Sequence, residues 1–328
     1  LTEFAPIYGE SVRGASPCCP TAGSLAVAAG RLSYTLGLLG PCRALETGCS
    51  ASLVACHASY TSLVLGEASS ELVAGVNVML LPGGLIGAAA AGMLSPRGHC
   101  HAFDARADGF VKAEAVVGVV LKPVAAVGAA AKEAHYAEYA GSAVRRDGRS
   151  ASLLAPNGAA QKSLLLAAAE RAGAQRGSLA QLEGHGTGTS LGDPVEVRAA
   201  VGQGFTTICG GKANYGHSEP PAGLQGVLKL ALELRAGGAS PNALLTRLNE
   251  HIEAAVNRGS EGRNLICLPT QLVRTDSKPR RGGVSSFGYA GTIAHAVIGG
   301  LVASTSSFAP GPSPPQGPPS YRRRAFVW

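Results

Sequence analysis

Four short stretches hold residues suited to nucleophilic acyl chemistry. The first, "ETGCSAS", sets Cys49 between a glycine and a serine, at a point where an apolar run gives way to helical spacing. A thiol at a strand-to-helix turn lies at the positive end of the helix dipole, which predicts a stabilised thiolate and a lowered pKa. Gly48 permits a tight turn, and Ser50 and Ser52 offer oxygens to the free N–H groups of the first helical turn. A lone cysteine is as readily a buried structural thiol. That is the expectation for Cys18, Cys19, Cys42, Cys56, Cys100, Cys209 and Cys267.

The second stretch, "EGHGTGTSLGDPVEVRA", surrounds His185 with small residues that allow close approach of a substrate. Asp193-Pro194 reads as a helix start, with Glu196 in the first turn. No Walker lysine follows, so the glycines do not mark a phosphate loop. In the third, "GKANYGHSEPPAGLQGVLKLAL", Lys212 precedes His217 by five residues, and a helix begins near Pro221. Such a lysine could balance charge or orient a carboxylate; a surface lysine beside a helix-capping histidine is the plainer alternative. The fourth, "GGVSSFGYAGTIAHAVI", is a Gly-rich turn between apolar runs. Its backbone N–H groups suit an oxyanion hole, or it is a tight turn with Phe287 and Tyr289 in the core.

The elements that must position these groups alternate in kind. Pro41 to Thr47, "ELVAGVNVML", "FVKAEAVVGVVLKPV" and "HYAEYAGSAVRRDG" read as strands. Ser50 to Leu65, Gln161 to Ala174 and Ala222 to Arg235 have helical periodicity. "TTICGGKAN" reads as a strand entering a loop, and the fourth motif as a turn followed by a strand. Alternating strands and helices argue for layered α/β architecture. A chain of 328 residues with 46% hydrophobic content can bury a large core, as one domain or two fused halves.

The net charge of +7 is scattered, or concentrated near Lys278–Arg281 and in the terminal "YRRRAFVW". No aromatic pattern interleaves with it, which argues against nucleic acid and fits an acidic or phosphorylated partner. The eight cysteines include no CxxC pair, and "GHCHAF" lacks a second half for zinc, so reduced thiols are expected. No apolar run is long enough for a membrane span, and no signal peptide is evident.

The four motifs occur in order with "AAGRLSYTLGLLGPC", "AGVNVML", "GMLSPRGHCHAFDARADGFVKAEA" and "APNGAAQ". Together they resemble the ketosynthase (β-ketoacyl synthase) domain of type I polyketide synthases, in the thiolase superfamily, nearly colinearly from about Ala28 to Gly299. The resemblance implies an α/β thiolase fold of two similar halves in αβαβα layers. It divides the chain into a truncated N-terminal half at 1–123, a C-terminal half at 124–303, and a Pro-rich linker or strap at 304–328. It implies that Cys49 accepts an acyl chain, while His185 and His217 assist decarboxylation of a malonyl-type extender and bind its enolate oxygen. Lys212 joins that set. Asp193 and Glu196 match supporting charged positions, and Phe287, Gly288 and Tyr289 match a gating loop. Backbone N–H groups of Cys49 and Tyr289 would hold the oxyanion. A Cys-His-His set resembles elongating enzymes, whereas chalcone-synthase relatives use Cys-His-Asn.

The resemblance further implies no directly bound cofactor or metal, substrates carried on the phosphopantetheine of an acyl carrier protein, and an intracellular setting in cytoplasm or plastid. It also implies a homodimer in which Pro41 to Thr47 pairs across the two-fold axis. Relatives carry a substantial segment before the position of Leu1. The first half's sheet is therefore expected to be incomplete, with a surface for a partner chain to cover. This chain departs from the family at Glu46, Gly48, Ala113, Ala115, Ile293, Pro220 and Pro221. Such drift also admits a non-catalytic scaffold or interaction role, which acylation of Cys49 would distinguish from an enzyme.

Overall fold

Period-two alternation in the first half and short all-buried runs in the second form two kinds of sheet. The computed structural model describes residues 23–124, 135–175, 178–258, 266–274 and 281–300. In chain order its elements are α1 (Leu25–Leu36), α2 (Ala51–Val64), β1 (Glu71–Asn77), α3 (Gly83–Ala90), β2 (Ala115–Leu121) and β3 (Glu138–Arg146). There follow α4 (Gly158–Arg171), β4 (Leu179–Glu183), α5 (Gly192–Ala200), β5 (Thr207–Cys209) and α6 (Lys212–Tyr215). The remainder are α7 (Ala222–Ala236), β6 (Gly238–Ala239), α8 (Glu250–Arg258), β7 (Val273–Arg274), β8 (Arg281–Phe287) and β9 (Thr292–Gly299).

The main sheet has the order β3-β9-β8-β4-β5. Its β4 runs parallel to β5 and β8, while β9 is antiparallel to β3 and β8. β1 and β2 form a separate antiparallel ladder from Glu71↔Leu121 to Asn77↔Ala115. The helices α2 and α7 pack between the two sheets, and α4 covers the far face of the main sheet with α5 packed against it. Leu53, Leu224, Leu230, Val284 and Ile298 fill the middle layer; Leu164, Leu182, Val197, Phe205 and Ile208 fill the outer one. Fully burying one such side chain contributes about 1.5–3 kcal/mol, so these layers fix the sheet-to-helix geometry.

Local signals explain the boundaries. Asn157 caps α4, its Oδ1 accepting from the N–H groups of Ala159 (3.0 Å) and Ala160 (3.3 Å). α7 starts after Pro221, whose φ of −70° suits helix entry, and ends at the left-handed Gly237. The two prolines thus cost the helix nothing, and the Pro220 carbonyl accepts from the Ser52 N–H.

Several expectations need correcting. Pro41 to Thr47 is not a strand; residues 41–46 are exposed and irregular, and only Thr47 makes an isolated bridge, to Cys49. A single chain places no strand beside it, so backbone pairing cannot extend it. "ELVAGVNVML" forms a strand only to Asn77, and alternate residues are exposed because no other described residues cover one face of its sheet. "GGVSSF" is a strand, not a turn: β8 and β9 make a hairpin around 288–291. Ile293, one of the departures noted from the family pattern, does not weaken that turn. Its side chain is fully buried in the core, and backbone bonds from Gly288 N to Thr292 O (2.8 Å) and Gly291 N to Gly288 O (2.9 Å) hold the hairpin. Cys42 and Cys267 are exposed rather than buried. Cys18, Cys19 and the segment 304–328 lie outside the described residues. Among the described residues no helix is long and apolar enough to cross a membrane.

Candidate active site

Cys49 stands one residue before Ser50, the cap position of α2, in a turn that begins at Gly48. Gly48 has φ +63°, a left-handed conformation, and an added Cβ would meet the Tyr289 ring at 3.1 Å. Gly288 is constrained more severely, since a Cβ there would lie 2.3 Å from the Thr47 carbonyl oxygen. The β8–β9 turn can therefore press against the Cys49 turn only through a glycine. The Ser286 hydroxyl on β8 donates to the Cys49 carbonyl at 2.7 Å and ties the two together. The expected serine caps are placed differently. Ser50 donates its hydroxyl to the Thr47 carbonyl, while the Ser52 hydroxyl accepts from the Leu224 N–H at the start of α7. The N-terminal ends of α2 and α7, one from each half, thus meet beside the thiol.

His217 arrives on the segment before α7, and its Nε2 lies 3.0 Å from Cys49 Sγ. Its backbone is clamped by the strand-like 111–113 segment: His217 N donates to Val111 O (2.8 Å), and Ala113 N donates to His217 O (2.9 Å). His185 follows the end of β4. Its ring meets His217 edge to face, with centroids 5.4 Å apart, and leans on Phe287 at the same distance. Phe110 closes the other side of His217 at 5.0 Å. Sγ of Cys49 and a ring nitrogen from each histidine all lie within 4.8 Å of one another. The helix-capping alternative for His217 is thereby displaced.

The tautomers follow from the backbone. Phe287 N–H points at His185 Nδ1 and Glu219 N–H at His217 Nδ1, each over a long 3.4 Å. Nδ1 therefore accepts and Nε2 carries the proton on both rings. Metal-ligating histidines normally donate their outer N–H to an acceptor. Here both outer nitrogens receive one, which makes a pair of hydrogen-bond donors rather than a ligand set. Burial, then the Lys212 cation, hold both imidazoles well below the usual histidine range, with His217 adding to the effect on His185. Both rings are neutral at pH 7.

Lys212 is buried, so it is not a surface lysine. Its Nζ donates to the His185 carbonyl at 2.6 Å. Glu196 accepts from the N–H groups of His185 (2.6 Å) and Gly186 (2.8 Å), and Asp193 from those of Phe103 (2.8 Å) and Gly188 (3.2 Å). These carboxylates hold the His185 loop by its backbone. Burial raises Asp193 to about 6 and Glu196 to about 7, opposed by the N–H groups they accept from and by Lys212.

One expectation reverses. The Cys49 thiol is not lowered by its position; burial, then the Glu219 carboxylate, push it up to about 12 against Lys212 and the N–H groups of Tyr289 and Cys49. Withdrawal from water outweighs the favourable N–H groups. Phe287 is partly buried, whereas Tyr289 is 56% exposed and therefore covers the turn rather than filling the core. The sequence motifs did not single out Glu219, Lys112, Ser286, Phe103 or Phe110. All five lie inside quoted stretches, Phe103, Phe110 and Lys112 in "GMLSPRGHCHAFDARADGFVKAEA", and for Glu219 and Ser286 a charge or hydroxyl beside a site histidine or in the fourth motif was the available signal.

Residues 5–126 match the family model "Beta-ketoacyl synthase, N-terminal domain", and residues 136–246 match "Beta-ketoacyl synthase, C-terminal domain". The chain belongs to the β-ketoacyl synthase family. It is 40% identical over 306 residues to one component of the phenolphthiocerol/phthiocerol polyketide synthase of Mycobacterium tuberculosis, covering 91% of this chain and 16% of that protein. Another component of the same synthase and organism is 39% identical and covered to 14%. Among solved structures, the ketosynthase from module 6 of the bacillaene synthase from Bacillus subtilis 168 superposes with a TM-score of 0.76 at 36% identity, covering 85% of this chain and 50% of that one. The oxazolomycin ketosynthase domain of Streptomyces albus JA3453 gives 0.80 at 32% identity, covering 92% and 53%. The ketosynthase chain thus spans about half the length of these solved structures and has the thiolase fold, a ketosynthase domain of the type I polyketide synthase kind.

Proposed function

We propose that this chain catalyses the condensing step of polyketide assembly, as a β-ketoacyl synthase. The observation that carries the reading is the approach of His217 Nε2 to Cys49 Sγ at 3.0 Å, with His185 within reach of both. In the first half-reaction Sγ attacks the carbonyl carbon of an acyl thioester on a carrier's phosphopantetheine. The carrier thiol leaves with the proton that Cys49 gives up. A resting thiol near 12 is a weak nucleophile, so proton removal and attack must be coupled. In the second half-reaction a malonyl-type thioester loses carbon dioxide, and its enolate carbon attacks the Cys49-bound acyl carbonyl. The Cys49 thiolate departs, and the chain on the carrier is two carbons longer.

Neutral Nε2–H donors on His185 and His217 stabilise an enolate oxygen without protonating its carbon. The N–H groups of Cys49 and Tyr289, both directed at the thiol, suit the oxyanion of the tetrahedral intermediate. Lys212, Asp193 and Glu196 act by holding the His185 loop, and Phe287, Gly288 and Tyr289 by covering the Cys49 turn. Acyl carrier protein is the partner this chemistry requires. The exposed segment 41–46 supports pairing with the same segment of a second copy. The bacterial source of the relatives fits the cytoplasm rather than a plastid.

The test is to incubate the full chain with a radiolabelled acyl thioester and map the adduct by mass spectrometry. Labelling at Cys49 that Cys49→Ala abolishes is expected. A folded chain that takes no label would instead support a scaffold role.

A further inference from the structure

Two charged residues outside the Cys-His-His-Lys set converge on His217. Glu219 is two residues downstream and has φ +57°, a left-handed conformation that side-chain-bearing residues rarely adopt. That conformation turns its N–H toward His217 Nδ1. Its carboxylate pairs with Lys112 Nζ at 2.9 Å, and both side chains are largely shielded, the lysine at 12% exposure and the glutamate at 24%. Lys112 itself lies between Val111 and Ala113, the two residues that clamp the His217 backbone. One ion pair therefore joins the two segments that seat the imidazole. Of its two charges, the Glu219 carboxylate acts on the thiol that lies 3.0 Å from His217 Nε2, and the Lys112 cation acts on the imidazole between them.

We propose that the Lys112–Glu219 pair is the charge-setting and positioning device of the Cys49–His217 unit, with the Glu219 carboxylate disfavouring a second anion on Cys49 and Lys112 balancing that carboxylate. The charged and titratable groups acting on this unit are Lys212, His185, Glu219 and Lys112. Among them Glu219 alone is an anion that acts on Cys49. This deepens the reading of Cys49 as an acyl acceptor, which it takes as its starting point. It makes Cys49 a guarded nucleophile, slow toward small electrophiles.

The experiment measures alkylation of Cys49 by iodoacetamide at fixed pH near 8 in the full chain, with site occupancy read by mass spectrometry. Alkylation needs no thioester, so the outcome is independent of whether the chain condenses anything. Glu219→Gln keeps the backbone N–H and removes the charge, and should raise the rate about threefold to tenfold. That range is a tenfold gain in thiolate per pKa unit, partly offset by lower intrinsic nucleophilicity. Lys112→Met should lower the rate by a similar factor, and Lys112→Arg should restore it. Damage to packing would move both variants in the same direction, so opposite signs support the pair as a charge device. Equal signs, or native rates in both, overturn it. If Lys112→Met does not fold, Glu219→Asp replaces it: a native rate beside a fast Glu219→Gln supports the proposal, and equal rates overturn it. Opposite signs in a chain that takes no acyl label would leave this pair standing and remove the condensing activity alone.

Discussion

The two sheets of this molecule are built from similar residues but are covered differently. The five-stranded sheet has helices on both faces, and β8 and β9 are buried along almost their whole length. Among the described residues, the β1–β2 ladder has α2 and α7 on one face only. Its other face shows Leu72, Val76, Val116 and Val120, each about half exposed or more. The site straddles this contrast. His185, Glu196, Lys212 and Phe287 hang from the ends of covered strands and their helices, whereas Cys49 comes from the turn before α2. What makes the thiol as fixed as the histidines is the bracing of its turn by β8, through Ser286 and Gly288. Rigidity at the site is thus supplied by the second half and lent to the first.

The comparison can be broken at graded points. The largest effect is expected in the layer shared by both sheets. Leu53→Ala, fully buried between them, should cost about 2–5 kcal/mol by urea unfolding; a smaller cost would mean that the middle layer does not couple the two sheets. Next, Gly288→Ala forces the hairpin away from Thr47 and should slow Cys49 acylation about 100-fold while β8–β9 stays folded by circular dichroism. Native-like acylation would show that the brace is dispensable.

A pH effect of intermediate size tests the covered sheet. His295 on β9 is fully buried, its Nδ1 2.9 Å from the Ser285 hydroxyl, and burial lowers it to about 3. A histidine depressed in the folded state is protonated first in the unfolded chain. Its penalty is absent above the ordinary value near 6.5 and grows as pH falls from there toward 3. Asp193 and Glu196, raised to about 6 and 7, work the other way, favouring the folded state as they keep their protons below those values. His295→Gln should therefore remove about 1.4 kcal/mol per pH unit from the acid limb of a stability profile, and an unchanged limb would assign it to His185 and His217 instead. The smallest effect belongs to the open face. Val116→Thr should shift stability by less than about 0.5 kcal/mol in dilute solution. A larger, concentration-dependent shift in melting temperature would show that another surface covers the ladder.

The four motifs were legible because each combines a reactive side chain with neighbours that only a turn can use. Cys49 after Gly48, His185 among glycines, and Lys212 five residues before His217 keep their meaning without coordinates. The helices α2, α4 and α7 were legible too, because apolar periodicity is a local property. The first strand of the fourth motif was not. "GGVSSF" has small residues where strands usually have branched ones, and it is a strand because it lies between β4 and β9 with buried neighbours on both faces. Pro41 to Thr47 erred in the opposite sense, since strand-like residues form no strand without a neighbouring backbone.

The sequence by itself determined the layered α/β class, the residues capable of chemistry and their order along the chain. Only the tertiary structure decided which charges face the thiol. Glu219 and Lys112 are 107 positions apart in the chain and 2.9 Å apart in space, and nothing local to either predicts the meeting. Burial, and after it the Glu219 carboxylate, raise the Cys49 thiol. Electrostatic energy follows distance and access to water, which a linear order of residues does not contain.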